Sequence, residues 1–450
     1  MKTLFTKDPK FLRRQQYTMT VVLFLLAAGL TGMFCVFFMW GFEFVQKHRL
    51  DFHSIGPWCW LTTPLVFSLA VFAIQRFAPF AAGTGIPQVA FSAEHLNPNT
   101  EKTISPLLSP RTLVVKIVAL LAIVWVGAST GREGPTVHIA ACIFLLVLAS
   151  FRRWFGWKFD LRSAVVAGGA AGLAAAFNTP LAGVTFAIEE LTPDYFSSIK
   201  DFVLMAIIVA AVVAKSLTGE YEYFGLLPQP PSVPIGAILL IGCLCGLAGA
   251  FFSSAVLCGK KIKAHCDLHP YLRWAWPALL ALGILVIALF AGTRVLGPGN
   301  EAAKNLLDGQ FGSWTLVFPF AKAATTLLTY WSGAAGGIFA PCLSLGSAVG
   351  ANVGHWMSAP VSSCALIGMA AFLAGVIQAP MTAFVIIFEM TGHHQMLLPI
   401  MIASLISVMT ARIVGGQHLY KMLAKDYLVL LKGPDSLMPV PHKSATEEKS

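Results

Sequence analysis

Of 450 residues, 12 % are charged, 31 Lys plus Arg against 21 Asp plus Glu, for a net charge of +10, while 56 % are hydrophobic. A soluble globular chain carries about 25 % charged residues. Together with a mean hydropathy of +0.73, this excludes a cytosolic enzyme, a secreted domain or a nucleic-acid binder as a reading of the whole chain.

Residues 15–42, 163–188, 223–259 and 323–388 contain no acid or base apart from histidine. A bilayer crossing takes about 20 apolar residues, so the chain is predicted to be a polytopic, all-α membrane protein. Lys2, Lys7, Lys10, Arg13 and Arg14 crowd the segment 1–17, and loop Lys and Arg mark the cytoplasmic face. The N-terminus is therefore expected inside. Val21–Phe42 is too long for a signal-peptide core and reads as the first span. Leu65–Phe77, Leu113–Val126, Gly236–Leu257 and Trp276–Phe290 are the other clean helices. Arg152, Arg153, Lys158 and Arg162 fill one connection and Lys260, Lys261 and Lys263 another. The polar tail within 426–450 is expected to be disordered. The nine cysteines lack metal-ligand spacing and read as packing thiols, so no metal and no cofactor are expected.

Between the clean spans, Gly and Pro break the apolar sequence. The breaks are Gly83-Thr84-Gly85-Ile86-Pro87, Gly131 to Pro135, Thr179-Pro180, Gly336 to Pro341 and Ala379-Pro380. Broken backbone at membrane depth must be buried in protein or line a polar cavity. Gly168, Gly169 and Gly172 read instead as close-packing positions. The breaks repeat. A shift of 200 lays Pro180 on Pro380 and Glu189 on Glu389; 206 lays Gly131 on Gly337 and Pro135 on Pro341; 214 lays Gly83 and Gly85 on Gly297 and Gly299. Two units, 18–218 and 232–425, are expected around a linker at 219–231. An odd number of passes in each gives them inverted topology, with a site at their interface near the midplane.

Each Gly-rich break precedes an apolar run and so can start a helix. The first N–H groups of a helix lack intrahelical partners and carry partial positive charge, and several such ends converging make an anion site. Lys116 and Lys322 are the cations within the core, and their long stems favour snorkelling to an interface. Glu133 sits beside one helix start, where its carboxylate can mimic a bound anion and, once protonated, withdraw; an intramembrane acid is functional by default. Of Glu189 and Glu190, the second has no counterpart in the other half, where Met390 stands, so Glu190 is the better proton relay. Tyr420 can donate to an anion or anchor a span at the interface. Ser332 lacks nucleophile-elbow flanks, so an intramembrane hydrolase is not expected.

The segments around Gly83, Gly131 and Gly337, the stretch Ala174 to Glu190 and the late Tyr420 resemble, in order and spacing, the signatures of the CLC chloride channel and transporter family. The resemblance covers nearly the whole chain. It implies a homodimer whose subunits each carry an anion pathway, with membrane lipid around it and no nucleic-acid partner. It also implies that Thr84 and Gly85 line the central anion site, where the family usually has Ser. Tyr420 would stand opposite, and Ile338 and Phe339 would supply backbone N–H groups. Glu133 matches the external gate and Glu190 the internal proton-transfer acid that exchangers keep. The implied function is exchange of chloride against protons across a bacterial inner membrane. The alternatives are a passive channel of the same fold and a fluoride/proton exchanger.

Overall fold

The computed structural model describes residues 9–50, 56–155, 160–191, 196–219, 223–224, 231–267 and 269–432. Lys2, Lys7, Lys158, most of the 219–231 linker and the tail beyond 432 lie outside them. The described residues are almost entirely helical, and eight helices are long and apolar enough to cross a membrane. The protein is a polytopic membrane protein of broken helices in two inverted repeats.

The first repeat opens with α1 (Pro9–Lys47) and α2 (Pro57–Phe77), which carry the first two clean spans. Next come α3 (Ile86–His95), the single turn α4 (Glu101–Ile104) and α5 (Pro110–Trp125). Then follow α6 (Glu133–Phe155), α7 (Leu161–Phe177), α8 (Pro180–Phe186) and α9 (Phe196–Thr218). Between α8 and α9 the chain makes a π-helical turn, Ala187–Leu191. The second repeat runs through α10 (Ile235–Cys266), α11 (Pro270–Ala291), α12 (Asn300–Leu307), α13 (Trp314–Trp331) and α14 (Phe339–Trp356). It closes with α15 (Val361–Ile377), α16 (Pro380–Thr391) and α17 (Leu397–Ile413), followed by the short α18 (Leu419–Lys425) and α19 (Val429–Lys432).

Local chemistry sets the breaks. Proline occupies the first turn of α2, α3, α5, α8, α11 and α16, where its missing N–H costs no helical bond. Asp160 caps α7 by accepting from the Arg162 and Ser163 amides. Helices α7 and α15 end alike, on left-handed Asn178 (φ 57°) and Gln378 (φ 61°), two residues before the prolines that start α8 and α16.

Packing follows the duplication. Helix α7 lies against α6 as α15 lies against α14, and both α7 and α15 are buried on every side. Apolar all round, they can only be core helices. A methyl group at Gly168 would meet Ala141 Cα at 2.9 Å, and one at Gly172 would meet Val137 Cα at 3.2 Å, so these glycines set how closely α7 approaches α6. The outward faces of α2 and α11 carry exposed Leu61, Leu65, Leu69, Leu289 and Phe290, as a lipid-facing surface requires.

Two exchanges join the repeats. Gly131 N–H donates to Gly337 O at 2.8 Å, and Gly337 N–H to Gly131 O at 2.9 Å. Glu189 accepts from the Met381 and Thr382 amides at the start of α16 (3.1 and 2.7 Å). Its counterpart Glu389 accepts from Leu181 and Ala182 at the start of α8 (3.0 and 2.9 Å). Each half thus caps the other's broken helix, as a two-fold relation between them demands.

Candidate functional site

Three helix starts meet where the repeats touch. Gly83 N–H donates to Ala334 O at 3.0 Å and Gly83 O accepts from Gly336 at 3.1 Å, tying the loop before α3 to the loop before α14. The Gly131–Gly337 exchange ties that loop to the one before α6. A Cβ at Gly134 would lie 3.2 Å from Thr84 Cβ, and one at Gly337 3.2 Å from Gly134 N. Gly85 caps α3 at φ +99°, and a Cβ there would collide with His138, so this position demands glycine twice over.

The first turns of these helices hold donors outside the intrahelical ladder. The ladder starts at Val89 N–H to Gly85 O in α3, Thr136 N–H to Arg132 O in α6 and Cys342 N–H to Ile338 O in α14. The N–H groups of Ile338, Phe339 and Ala340 precede the last of these. Three partially positive ends pointing into one place form the electrostatics of an anion site.

The lysines are corrected by the structure. Lys116 and Lys322 do not snorkel; both are buried. Lys116 Nζ donates to Gly83 O at 2.9 Å, and Lys322 Nζ to Val295 O at 3.0 Å and Gly297 O at 2.5 Å. Each holds the glycine loop of its own repeat, a task that the side-chain length alone does not reveal. The interface-anchor reading of Tyr420 also falls, because its side chain is wholly buried.

The remaining polar groups gather around that ring. Thr84 Oγ1 and the Tyr420 hydroxyl are buried and find no hydrogen-bond partner among the described residues. Tyr420 stacks on Phe339 with ring centroids 6.1 Å apart and planes 9° from parallel, and its phenol lies within electrostatic reach of both Glu133 and Glu190. Glu133, fully buried, starts α6. One of its oxygens accepts from the Tyr223 hydroxyl at 2.7 Å; the other has no hydrogen-bond partner among the described residues. Glu190 sits in the π-helical turn with both oxygens buried and, among the described residues, without hydrogen bonds; His418 Nε2 lies 3.6 Å from one of them. Such turns break helices at functional positions.

Two cavities lead toward this centre from opposite ends of the spans. One, of about 520 Å³, is lined by Gly83, Thr84, Lys260, Lys263, Arg273 and Tyr427 and lies at the end of α2 and the start of α11. The other, of about 720 Å³, is lined by Glu43, Arg49, Tyr223, Asn300, Glu301 and Lys304, past the end of α1. Tyr223 and His418 touch the two acids, yet neither was singled out by sequence. Tyr223 lies in the linker, and His418 precedes Tyr420 without any spacing signal.

Duplicated halves, broken helices meeting between two opposed cavities, and acids buried beside that meeting point define a membrane transport protein. The chain belongs to the voltage gated chloride channel family, which matches residues 65–412. It is 32 % identical over 438 residues to the H(+)/Cl(-) exchange transporter ClcA of Salmonella agona, covering 92 % of this chain and 90 % of that one. Its fold superposes on a slow cyanobacterial Cl-/H+ antiporter with a TM-score of 0.78 at 27 % identity, over 92 % of this chain and 98 % of the other. A CLC-type fluoride/proton antiporter shares the fold at a TM-score of 0.72 and 21 % identity, over 92 % and 98 % of the two chains.

Proposed function

We propose that this protein exchanges chloride against protons across a bacterial inner membrane, as a homodimer with the N-terminus in the cytoplasm. The observation that carries the reading is that two acids, Glu133 and Glu190, are buried in the core together with Tyr420, whose hydroxyl finds no hydrogen-bond partner among the described residues. A passive pathway has no need of the second acid.

The anion enters from the cavity beside Lys260 and Lys263, whose charge marks it as cytoplasmic. Thr84, Gly85 and Tyr420, with the N–H groups of Ile338 and Phe339, receive it. Deprotonated Glu133 competes for the same positive helix ends. Protonation removes that attraction, and the acid yields to the anion. Glu190 passes protons between the cytoplasmic side and Glu133. The likeness to chloride exchangers in Salmonella and cyanobacteria supports chloride as the ion, and the hydroxyl of Thr84 preserves the donor that a halide requires.

Proton uptake by liposomes holding the purified protein, driven by a chloride gradient and collapsed by an uncoupler, tests the reading. A reversal potential that follows chloride alone, unmoved by an imposed pH gradient, would show a channel instead.

A further inference from the structure

Tyr223 stands between the outer cavity and Glu133. Its hydroxyl donates to Glu133 Oε1 at 2.7 Å and its oxygen accepts from Asn300 Nδ2 at 3.1 Å. Asn300 Oδ1 lies 3.3 Å away as a second acceptor for the same hydroxyl. Neighbours from other elements flank the ring: Phe177 at 5.4 Å between centroids, and the Arg132 guanidinium at 5.5 Å from the ring centroid. Arg132 is held in turn by Glu43 of α1 at 2.7 Å.

We propose that Tyr223 is a latch on the Glu133 gate, with Asn300 as its second catch. With Glu133 ionised, the phenol donates to the carboxylate while Asn300 supplies an N–H to the phenol oxygen. When Glu133 takes up a proton it no longer accepts that bond as a charge-assisted one. The phenol then turns its O–H to Asn300 Oδ1, and the acid is released. A tyrosine suits this task because one hydroxyl both donates and accepts. Tyr223 is argued to act through the gate, so it is a positioning residue. The proposal rests on Glu133 being the gate.

Charged and titratable groups besides Tyr223 also face this region. They are Arg132 beside Glu133, Glu43 and Lys47 on α1, Arg49, and Glu301 and Lys304 on α12, with the Tyr420 phenol on α18. Tyr223→Phe leaves all of them in place and keeps the ring contacts, removing only the hydroxyl.

The test measures chloride-driven proton uptake by the reconstituted full-length protein across the acid-to-neutral range. Losing a donor to an ionised acid favours its protonated form. Tyr223→Phe is therefore expected to move the pH of half-maximal exchange upward by about one unit, with the number of chlorides per proton unchanged. Introduced into Glu133→Gln, the same substitution is expected to leave chloride flux as it was. An unshifted profile in Tyr223→Phe overturns the latch, as does an equal change of chloride flux with and without the Glu133 carboxylate. Proton uptake persisting in Glu133→Gln alone would instead overturn the gate assignment itself, and the latch with it.

Discussion

The two repeats keep the same skeleton and differ in their chemistry. Residues that hold backbone recur in both: Gly83 with Gly297, Lys116 with Lys322, Gly131 with Gly337, and Glu189 with Glu389. The side chains proposed to handle ions do not. By sequence shift, Thr84 corresponds to Pro298, Glu133 to Phe339 and Glu190 to Met390. Duplication thus supplied a frame of helix starts, and one half alone carries the two acids proposed to move protons. The symmetry explains where an anion can rest; the asymmetry supplies the proton.

The sharpest way to break this contrast is Glu133→Gln, which copies the protonated acid. Proton movement under a chloride gradient is expected to vanish while anion flux continues, read by a pH electrode and a chloride electrode on the same liposomes. Next comes Glu190→Met, which makes the first half resemble the second. Removing a positioned proton-transfer group is expected to lower proton flux by about two orders of magnitude, with chloride binding, read by calorimetry, retained.

The symmetric residues are expected to behave as a matched pair. Glu189→Ala and Glu389→Ala each strip a helix N-terminus of its carboxylate cap and are expected to cost about 1–2 kcal/mol each. Thermal unfolding in detergent would show similar losses, with proton coupling intact in both. Coupling lost in Glu189→Ala alone would show that the skeleton is asymmetric too.

The smallest effect concerns His418, which has no partner in the sequence shift. Burial, with Lys421 and Arg412 nearby, lowers its pKa from 6.5 to about 4. Between those values the unfolded chain binds a proton that the folded one refuses, so stability falls as pH drops. In His418→Gln the melting temperature is expected to fall less steeply over that window. The difference is modest because 20 % of the side chain is exposed.

Much of this frame was legible in the sequence. Gly83, Gly131 and Gly337 announce themselves because glycine beside proline within apolar sequence has few other uses, and the three do meet. Glu190 stood out because its counterpart is methionine. Other features were hidden by distance along the chain. Glu189 finds its amides 192 and 193 residues away, and no local pattern encodes that. Lys116 and Lys322 misled because a lysine within a span has two physical options, and only the position of a carbonyl such as that of Gly83 decides between them. Tyr223 was passed over because a residue in a connection carries no periodicity.

The paired amides at the centre set an order of assembly. Gly131 takes its backbone partner from Gly337, Gly83 from Ala334, and the start of α8 from Glu389. A nascent chain that has emerged only as far as α9 carries these groups unsatisfied inside the bilayer. It must shelter them until about 115 to 170 further residues have been made. Neither half can mature by itself, so a break in translation between them should leave a fragment for proteolysis rather than a smaller transporter.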